Sequence, residues 1–132
     1  MKIIIVGAGK VGFVLAHMLS NEDHDVTVVD RDESRIDTVE ERLDVNTVLG
    51  SCASTAVLMK AGVRDADMLL AVTERDELNI VSCFIAKSYG VHSGYLSVGG
   101  NIFTIGRKED GSAYRFGVRD PRGAASDYIG IV

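Results

Sequence analysis

The stretch that decides the fold is residues 2–30, KIIIVGAGKVGFVLAHMLSNEDHDVTVVD. Residues 3–6 are apolar and β-branched, and the run is too short to cross a membrane, so it predicts a buried strand. A glycine-rich turn comes next, and a helical pattern then continues to about Ser20. A second short strand ends the stretch at Asp30. This order of strand, turn, helix, strand and acid is the context that a dinucleotide-binding motif requires.

The glycines of the turn are Gly7, Gly9 and Gly12, in the spacing G-x-G-x-x-G. The first permits a tight turn, the second lets the backbone approach a pyrophosphate, and the third lets the helix pack closely on the strand. The helix N-terminus offers N–H groups and partial positive charge to the phosphates. The alternative is a glycine-rich turn that only packs a helix on a sheet. Asp30 favours the nucleotide interpretation because a carboxylate there can accept hydrogen bonds from ribose hydroxyls.

Length and composition describe one soluble domain of ordinary size. The chain has 132 residues, of which 46% are hydrophobic and 25% charged, enough for a real core. A net charge of −5 and a pI near 5.1 argue against nucleic acid as the main partner. No stretch has the roughly eighteen apolar residues of a membrane span. Because Met1-Lys2 leads directly into the first strand and two cysteines make no disulfide framework, we expect no signal peptide and a reducing cytoplasmic setting.

The alternation of strands and helices continues to about residue 92. Residues 46–49 predict a third strand and residues 67–72 a fourth, and a helical pattern follows each of them. This order predicts an α/β fold with a Rossmann-like, doubly wound parallel sheet and helices on both faces. The predicted apolar faces of the first and fourth helices consist of Val11, Val14, Leu15, Met18 and Leu19, and of Leu78, Val81, Phe84 and Ile85.

Several polar residues lie where the predicted strands end, which is where such sheets bind ligands. Asp30 would repel a 2′-phosphate, so a nucleotide with an unphosphorylated ribose is favoured. Arg31 could accommodate such a phosphate, but we favour its interpretation as a solvated surface charge. Ser51 and Cys52 follow the third strand and would line an adenine pocket. Thr73 follows the fourth strand and faces the crevice at the switch point.

No catalytic set is evident in the sequence. The three histidines, His17, His24 and His92, are scattered, and none pairs with a carboxylate at a spacing that suggests acid–base catalysis. No cluster has metal-ligand spacing, and Cys52 has no nearby histidine. We therefore expect a ligand-sensing module and not an enzyme. The alternative is the NAD-binding half of a dehydrogenase or reductase.

The chain resembles the nucleotide-binding N-terminal domain of the Trk potassium-uptake regulators, also called the RCK or KTN domain (TrkA-N family), over about residues 1–91. The resemblance rests on the glycine motif with Asp30, on residues 61–67 (AGVRDAD), and above all on residues 71–79 (AVTERDELN), followed by residues 86–90 (AKSYG). Dehydrogenases share the glycine motif but not usually this later block.

The resemblance implies a cytoplasmic regulatory subunit that assembles on a membrane potassium channel or transporter without being membrane-embedded itself. Family members bind NAD(H), which we favour here, or ATP and ADP, and they form dimers and larger rings. The residues that the resemblance assigns to nucleotide binding are Gly7, Ala8, Gly9, Lys10, Val11, Gly12, Asp30, Arg31, Ser51, Cys52, Thr73 and Glu77. Glu77 would lie near the phosphate tail, or would serve only to begin a helix.

Two features depart from the family pattern. Ser51 stands where the family usually has an aspartate after the third strand. Residues 93–132 lack the family pattern of a fifth strand with an Arg-x-Arg-like end, a further helix and a sixth strand, and they hold eight of the fourteen glycines and the only proline. Within this segment, residues 95–98 suit a fifth strand, and residues 101–106 and 112–118 predict a hairpin with an Asp-Gly turn. The segment is a diverged domain end, a β-appendage for assembly, or foreign, partly disordered sequence.

Overall fold

The computed structural model describes residues 1–106, 117–119 and 128–131. The chain alternates between strands and helices up to the fifth strand and then continues only in strands within the described residues. The elements are β1 (Lys2–Val6), α1 (Lys10–Asn21), β2 (Asp25–Asp30), α2 (Glu33–Arg42), β3 (Asn46–Leu49), α3 (Thr55–Lys60), a 3-10 turn (Val63–Asp65), β4 (Met68–Ala71), α4 (Asp76–Ser88), β5 (Ser93–Val98), β6 (Asn101–Gly106), β7 (Gly117–Arg119) and β8 (Tyr128–Ile131).

The main sheet has the strand order β3-β2-β1-β4-β5-β6, with the first five strands parallel. The chain first builds outward from β1 to β3 and then returns to add β4 on the other side of β1. Helices α1 and α2 therefore pack on one face, and α3 and α4 pack on the other. The predicted Rossmann-like, doubly wound fold is confirmed.

Strand β1 forms the centre of the core. Its side chains alternate between the two faces, with Ile3 and Ile5 toward α1 and α2, and Ile4 and Val6 toward α3 and α4. All four are completely buried, and each stabilises the fold by about 1.5–3 kcal/mol through removal of apolar surface from water. A strand buried on both faces explains why the sequence there is uniformly apolar.

The predicted apolar face of α1 is wrong for three of its five residues, since only Leu15 and Leu19 pack against the core. The helix buries the small residues Gly12 and Ala16 against the sheet. Val11, Val14 and Met18 are each more than half exposed. The reason is steric, because close approach of the helix to the turn before it requires small side chains at the contact.

The predicted face of α4 needs a similar correction. The buried residues are Asn79, Ser82, Cys83 and Ala86, with Leu78 and Ile85 only partly buried. Phe84 is 79% exposed and Val81 is 41% exposed. Polar side chains displace the apolar stripe here because Asn79 is needed to connect the loop before α4 with β5, as described below.

The predicted hairpin between residues 101–106 and 112–118 falls largely on residues that the structure does not describe, so it stays a prediction. Strand β6 pairs antiparallel with β5 through a two-residue turn, Gly99-Gly100. Both glycines have positive φ, 59° and 81°, as a type I′ turn requires. Residues 107–116 lie outside the described residues, and β7 pairs with β8 in a separate two-stranded sheet. Because β5 belongs to the main sheet, hydrogen bonding continues across the boundary that composition suggests after residue 92.

Candidate functional site

The candidate site lies at the carboxyl ends of β1, β2 and β4, where the direction of strand addition reverses. Backbone hydrogen bonds bring the three ends together. The N–H of Gly7 donates to the carbonyl oxygen of Val29 at 2.8 Å, and the N–H of Val72 donates to that of Val6 at 2.9 Å. Open α/β sheets bind ligands in the crevice at this switch point.

Two glycines of the turn are required by packing. Gly7 has a φ of +108°, and a Cβ there would lie 2.9 Å from the backbone of Val72 and Thr73. A Cβ on Gly12 would lie 1.7 Å from the carbonyl oxygen of Gly7. The turn and the first helix therefore depend on both glycines for folding, whether or not a ligand binds.

Gly9 differs because packing does not require it. Its φ is −72°, and an added Cβ would meet only the Arg35 Nη1 atom at 3.8 Å and the Glu74 Oε1 atom at 4.0 Å. A side chain at this position would fill the space in front of the N-terminus of α1, which has no side-chain cap. In α2, by contrast, Asp32 caps the first turn by accepting hydrogen bonds from the N–H groups of Ser34 and Arg35. The open cradle at Gly9 fits the phosphates of a nucleotide.

Asp30 lies beside this cradle at the end of β2. Its side chain is only 8% exposed. The Oδ2 atom accepts a hydrogen bond from the N–H of Ala8 at 2.7 Å, and the Oδ1 atom accepts one from the N–H of Asp32 at 2.8 Å. The carboxylate thus fixes the turns after β1 and β2, and it retains lone pairs for a ribose hydroxyl.

Arg35 and Glu74 approach each other across the crevice. The Arg35 Nη2 atom lies 3.1 Å from the Glu74 Oε1 atom. The guanidinium also lies 3.8 Å from the Asp30 carboxylate and 3.9 Å from the Asp32 carboxylate. Neither Arg35 nor Glu74 was predicted as a site residue. They are 39 residues apart in sequence, and no local motif relates them.

Two cavities adjoin the turn, with volumes of about 110 Å³ and about 740 Å³. The predicted residues that line the smaller cavity are Gly7, Asp30, Arg31, Ser51, Cys52 and Thr73. Those that line the larger one are Ala8, Gly9, Lys10 and Val11. Gly12 packs beneath the turn, and Glu77 lines neither cavity.

Glu77 is instead paired on the surface with Arg75. Its carboxylate lies 2.7 Å from Nε and 2.6 Å from Nη2 of Arg75. Hydrogen bonds from its own backbone N–H and from Arg75 lower the pKa of Glu77. The carboxylate therefore remains ionised in the first turn of α4, where it suits the helix dipole.

The loop after β4 is held in place by Asn79, which is completely buried. Its Oδ1 atom accepts hydrogen bonds from the N–H and the hydroxyl of Thr73, at 2.9 and 2.7 Å. Its Nδ2 atom donates to the carbonyl oxygens of Thr73 and Ser97, at 3.1 and 2.7 Å. In addition, Asp76 accepts a hydrogen bond from the N–H of Gly99 at 3.0 Å. In the sequence, Asn79 is indicated only indirectly, by its place in residues 71–79.

The thiols are buried and poor nucleophiles. Cys52 lies under the smaller cavity, with its Sγ atom 3.9 Å from the carbonyl oxygen of Leu78. Burial raises the pKa of Cys52, and burial raises the pKa of Cys83 to about 12. Because the thiolate is the nucleophilic form, neither group is activated for attack at neutral pH.

Two further observations apply to the described residues only. No three His, Cys, Asp or Glu side chains lie close enough together there to hold a metal ion. None of the described helices is long and apolar enough to cross a membrane.

The fold and the glycine turn define a Rossmann-type nucleotide-binding domain. Residues 3–95 match the family model for the TrkA-N domain. The chain therefore belongs to the TrkA-N domain family, as the sequence resemblance predicted.

Two similar proteins are potassium uptake proteins. The chain is 51% identical over 88 residues to the Trk system potassium uptake protein TrkA of Halomonas elongata, covering 67% of this chain and 19% of that protein. It is 49% identical over 83 residues to the protein of the same name from Haemophilus influenzae, covering 63% and 18%. The chain thus spans about a fifth of the length of these curated relatives.

Solved structures agree on the fold. The Kef CTD of Shewanella denitrificans in AMP-bound form has a TM-score of 0.57 at 22% identity, covering 67% of this chain and 52% of that one. The TrkA-N domain of the inner membrane protein ybaL from Escherichia coli has a TM-score of 0.54 at 19% identity, covering 73% and 87%. A putative NAD-dependent epimerase/dehydratase from Bacillus halodurans has a TM-score of 0.55 at 18% identity, covering 71% and 49%. At these identities the likeness concerns the fold alone.

Proposed function

We propose that this chain is a cytoplasmic regulatory domain of a potassium uptake system that senses a nucleotide and controls a membrane potassium channel or transporter. NAD(H) is the favoured ligand, and ATP or ADP is the alternative. The observation that carries the proposal is the cradle at Gly9, which lies in front of an uncapped helix and beside Asp30. The proposed role in potassium uptake is based on the names of the relatives.

The phosphates would lie over Gly9 at the N-terminus of α1, and the adenosine ribose would face Asp30. Ser51 and Cys52, which line the smaller cavity, would flank the adenine. This arrangement supports an unphosphorylated 2′-hydroxyl, because a 2′-phosphate would be repelled by the Asp30 carboxylate.

Regulation would require that two nucleotides favour different conformations. The free energy available for control of the transporter is only the difference in affinity for those conformations. The loop after β4 borders the site through Thr73 and Glu74, and a dimer or larger ring would carry its displacement to the membrane partner.

The test is calorimetric titration with NADH, NADPH, ATP and ADP under identical conditions. We expect a Kd of about 1–100 μM for the preferred nucleotide and weaker binding of NADPH than of NADH. Failure of all four nucleotides to bind at millimolar concentration would contradict the proposal.

A turnover assay separates the sensor from the dehydrogenase alternative. The protein is incubated with NADH and a panel of carbonyl acceptors, and loss of absorbance at the nicotinamide band is followed. A sensor leaves NADH unchanged, whereas sustained oxidation that depends on an acceptor would favour the reductase.

A further inference from the structure

We propose that Arg35 is a phosphate ligand of the nucleotide site and that Glu74 competes with the phosphate for it. The Arg35–Glu74 pair, called here the crossing ion pair, would open when a nucleotide with at least two phosphates binds. This inference rests on the proposed function, and it adds a binding residue and an exchange of partners that the glycine motif does not contain.

The first argument is the position of the crossing ion pair. The ideal Cβ position of Gly9 lies 3.8 Å from the Arg35 Nη1 atom and 4.0 Å from the Glu74 Oε1 atom. Both side chains therefore border the space into which Gly9 admits a pyrophosphate. A phosphate that entered this space would meet a guanidinium and a carboxylate of opposite charge, so it would attract one and repel the other.

The second argument is the shape of the crevice. Arg35 and Glu74 are the two residues that line both cavities. The smaller cavity has about 110 Å³, which is below the roughly 300–1,000 Å³ of ordinary ligand sites. Separation of the two side chains would join it to the neighbouring cavity of about 740 Å³. The crossing ion pair thus lies between the smaller cavity, which would hold the adenosine, and the larger cavity at the glycine turn.

The third argument is that the partners are unequal. The Glu74 side chain is 79% exposed, and its Oε1 atom lies 3.1 Å from the Arg35 Nη2 atom. Such exposed pairs are weak and easily exchanged. The Asp30 and Asp32 carboxylates lie 3.8 and 3.9 Å from the guanidinium, so they keep Arg35 at the crevice when Glu74 leaves. A guanidinium binds phosphate oxygens with two parallel hydrogen bonds, which a single carboxylate oxygen does not match.

The exchange would have a structural consequence at the loop after β4. Glu74 lies between Thr73, which Asn79 fixes, and Arg75, which pairs with Glu77. Release of Glu74 would remove the contact between this loop and α2. Binding of phosphate would therefore change the contacts of the loop after β4, which α4 and β5 hold in place.

The test is a double-mutant cycle with ADP as the probe, measured by calorimetry at fixed ionic strength. The proteins are the wild type, Arg35→Gln, Glu74→Gln and the double variant. We expect Arg35→Gln to weaken ADP binding at least about tenfold, because it removes a charge-assisted hydrogen bond to phosphate. We expect Glu74→Gln to tighten it about two- to fivefold, because it removes a competitor held by a weak surface pair.

The decisive result is the behaviour of the double variant. In the Arg35→Gln background, Glu74→Gln should tighten ADP binding clearly less than in the wild-type background, because only the repulsion between Glu74 and the phosphate is removed and competition for Arg35 is already absent. Equal tightening in both backgrounds would show a general charge effect and overturn the inference. Unchanged ADP affinity in Arg35→Gln would overturn it as well.

Two charge-matched variants distant from the crevice serve as controls. Arg64→Gln changes a guanidinium that lies over the ring of Tyr89, and Glu22→Gln changes an exposed carboxylate at the C-terminal end of α1. Neither should alter ADP affinity. Thermal denaturation confirms that each variant is folded. If the wild type binds no nucleotide, the proposed function fails and this inference with it. If the wild type binds ADP without coupling between the two residues, only the inference fails.

Discussion

The Oδ2 atom of Asp30 accepts a 2.7 Å hydrogen bond from the backbone N–H of Ala8, in the turn between β1 and α1. The acid at the tip of β2 and the glycine turn are thus parts of one hydrogen-bonded unit. Because the same carboxylate is positioned to meet a ribose, the residue that would recognise the ligand also shapes the loop that would hold its phosphates. Substitutions at Asp30 therefore have two effects that must be measured separately.

We expect Asp30→Ala to lower the free energy of unfolding by about 1–3 kcal/mol, because the amides of Ala8 and Asp32 lose a charged acceptor. Asp30→Asn keeps an acceptor oxygen and should cost less. Both variants should weaken NADH binding and narrow its preference over NADPH. Urea denaturation measures the free energy of unfolding of each variant, and parallel titrations measure its affinity for NADH and for NADPH. If the Asp30→Asn variant kept the full preference for NADH over NADPH, the Asp30 carboxylate would not be the group that recognises the ribose.

Gly9→Ala and Gly12→Ala should separate ligand binding from folding. Gly9→Ala places its methyl group in ordinary contact with neighbouring atoms, so we expect a stability loss below about 1 kcal/mol and loss of most nucleotide affinity. Gly12→Ala brings a methyl group onto the carbonyl oxygen of Gly7, so we expect severe destabilisation, above about 3 kcal/mol. Circular dichroism melts and titrations measure both. Normal ADP and NADH affinity in Gly9→Ala would exclude Gly9 from the phosphate site.

Asn79→Ala should strongly destabilise the loop after β4. It leaves the N–H of Thr73 and the carbonyl oxygen of Ser97 without the side-chain partners recorded here, so we expect a loss of about 2–4 kcal/mol. Asn46→Ala is a matched control, since the Asn46 side chain makes an exposed hydrogen bond to Asp25 and should cost less than about 0.5 kcal/mol. Similar losses at both positions, measured in urea, would contradict the role of Asn79.

The cap of α2 should produce a defined pH dependence. Hydrogen bonds from the side chain and backbone of Ser34 lower the pKa of Asp32 below its ordinary value of 3.8. The folded state therefore favours the ionised carboxylate. The stabilisation is fully present above the unfolded pKa and is lost as pH falls through the folded pKa.

We accordingly expect Asp32→Ala to lower the Tm by a few degrees at pH 7 and by less near pH 2. Glu41→Ala changes an exposed carboxylate near the C-terminal end of α2, which neither caps the helix nor lies in its first turn, and it serves as the control. Thermal melts at the two pH values provide the measurement. A Tm difference between wild type and Asp32→Ala that did not shrink on acidification would argue against the charged cap.

The sequence predicts the first half of the fold well because its signals are local. The apolar run of β1, the glycine spacing and Asp30 lie within thirty residues, and each has one structural meaning in that order. The helix faces are predicted poorly because the prediction places the large apolar side chains against the sheet. In the structure, small and polar residues such as Gly12, Ala16 and Asn79 make many of those contacts.

The remaining errors come from relationships that sequence spacing does not encode. The Asp-Gly pair at residues 110–111, a strong hairpin signal, lies outside the described residues, whereas the Gly99-Gly100 turn that joins β6 to β5 is absent from the sequence prediction. Arg35 and Glu74 meet because the first turn of α2 and the loop after β4 lie at the same edge of the sheet. The glycine motif indicates where phosphates would bind, but the residues across the crevice emerge only from the folded chain.

The Gly99-Gly100 turn also determines where the polypeptide departs from the sheet. Every parallel strand from β1 to β5 delivers its last residue to the rim that carries the crevice, whereas β6 runs back and places Gly106 opposite Ser93, the first residue of β5. The end of β6 and the crevice therefore lie at opposite edges of the sheet. A fluorophore attached at Gly106 would lie at the edge of the sheet opposite the crevice.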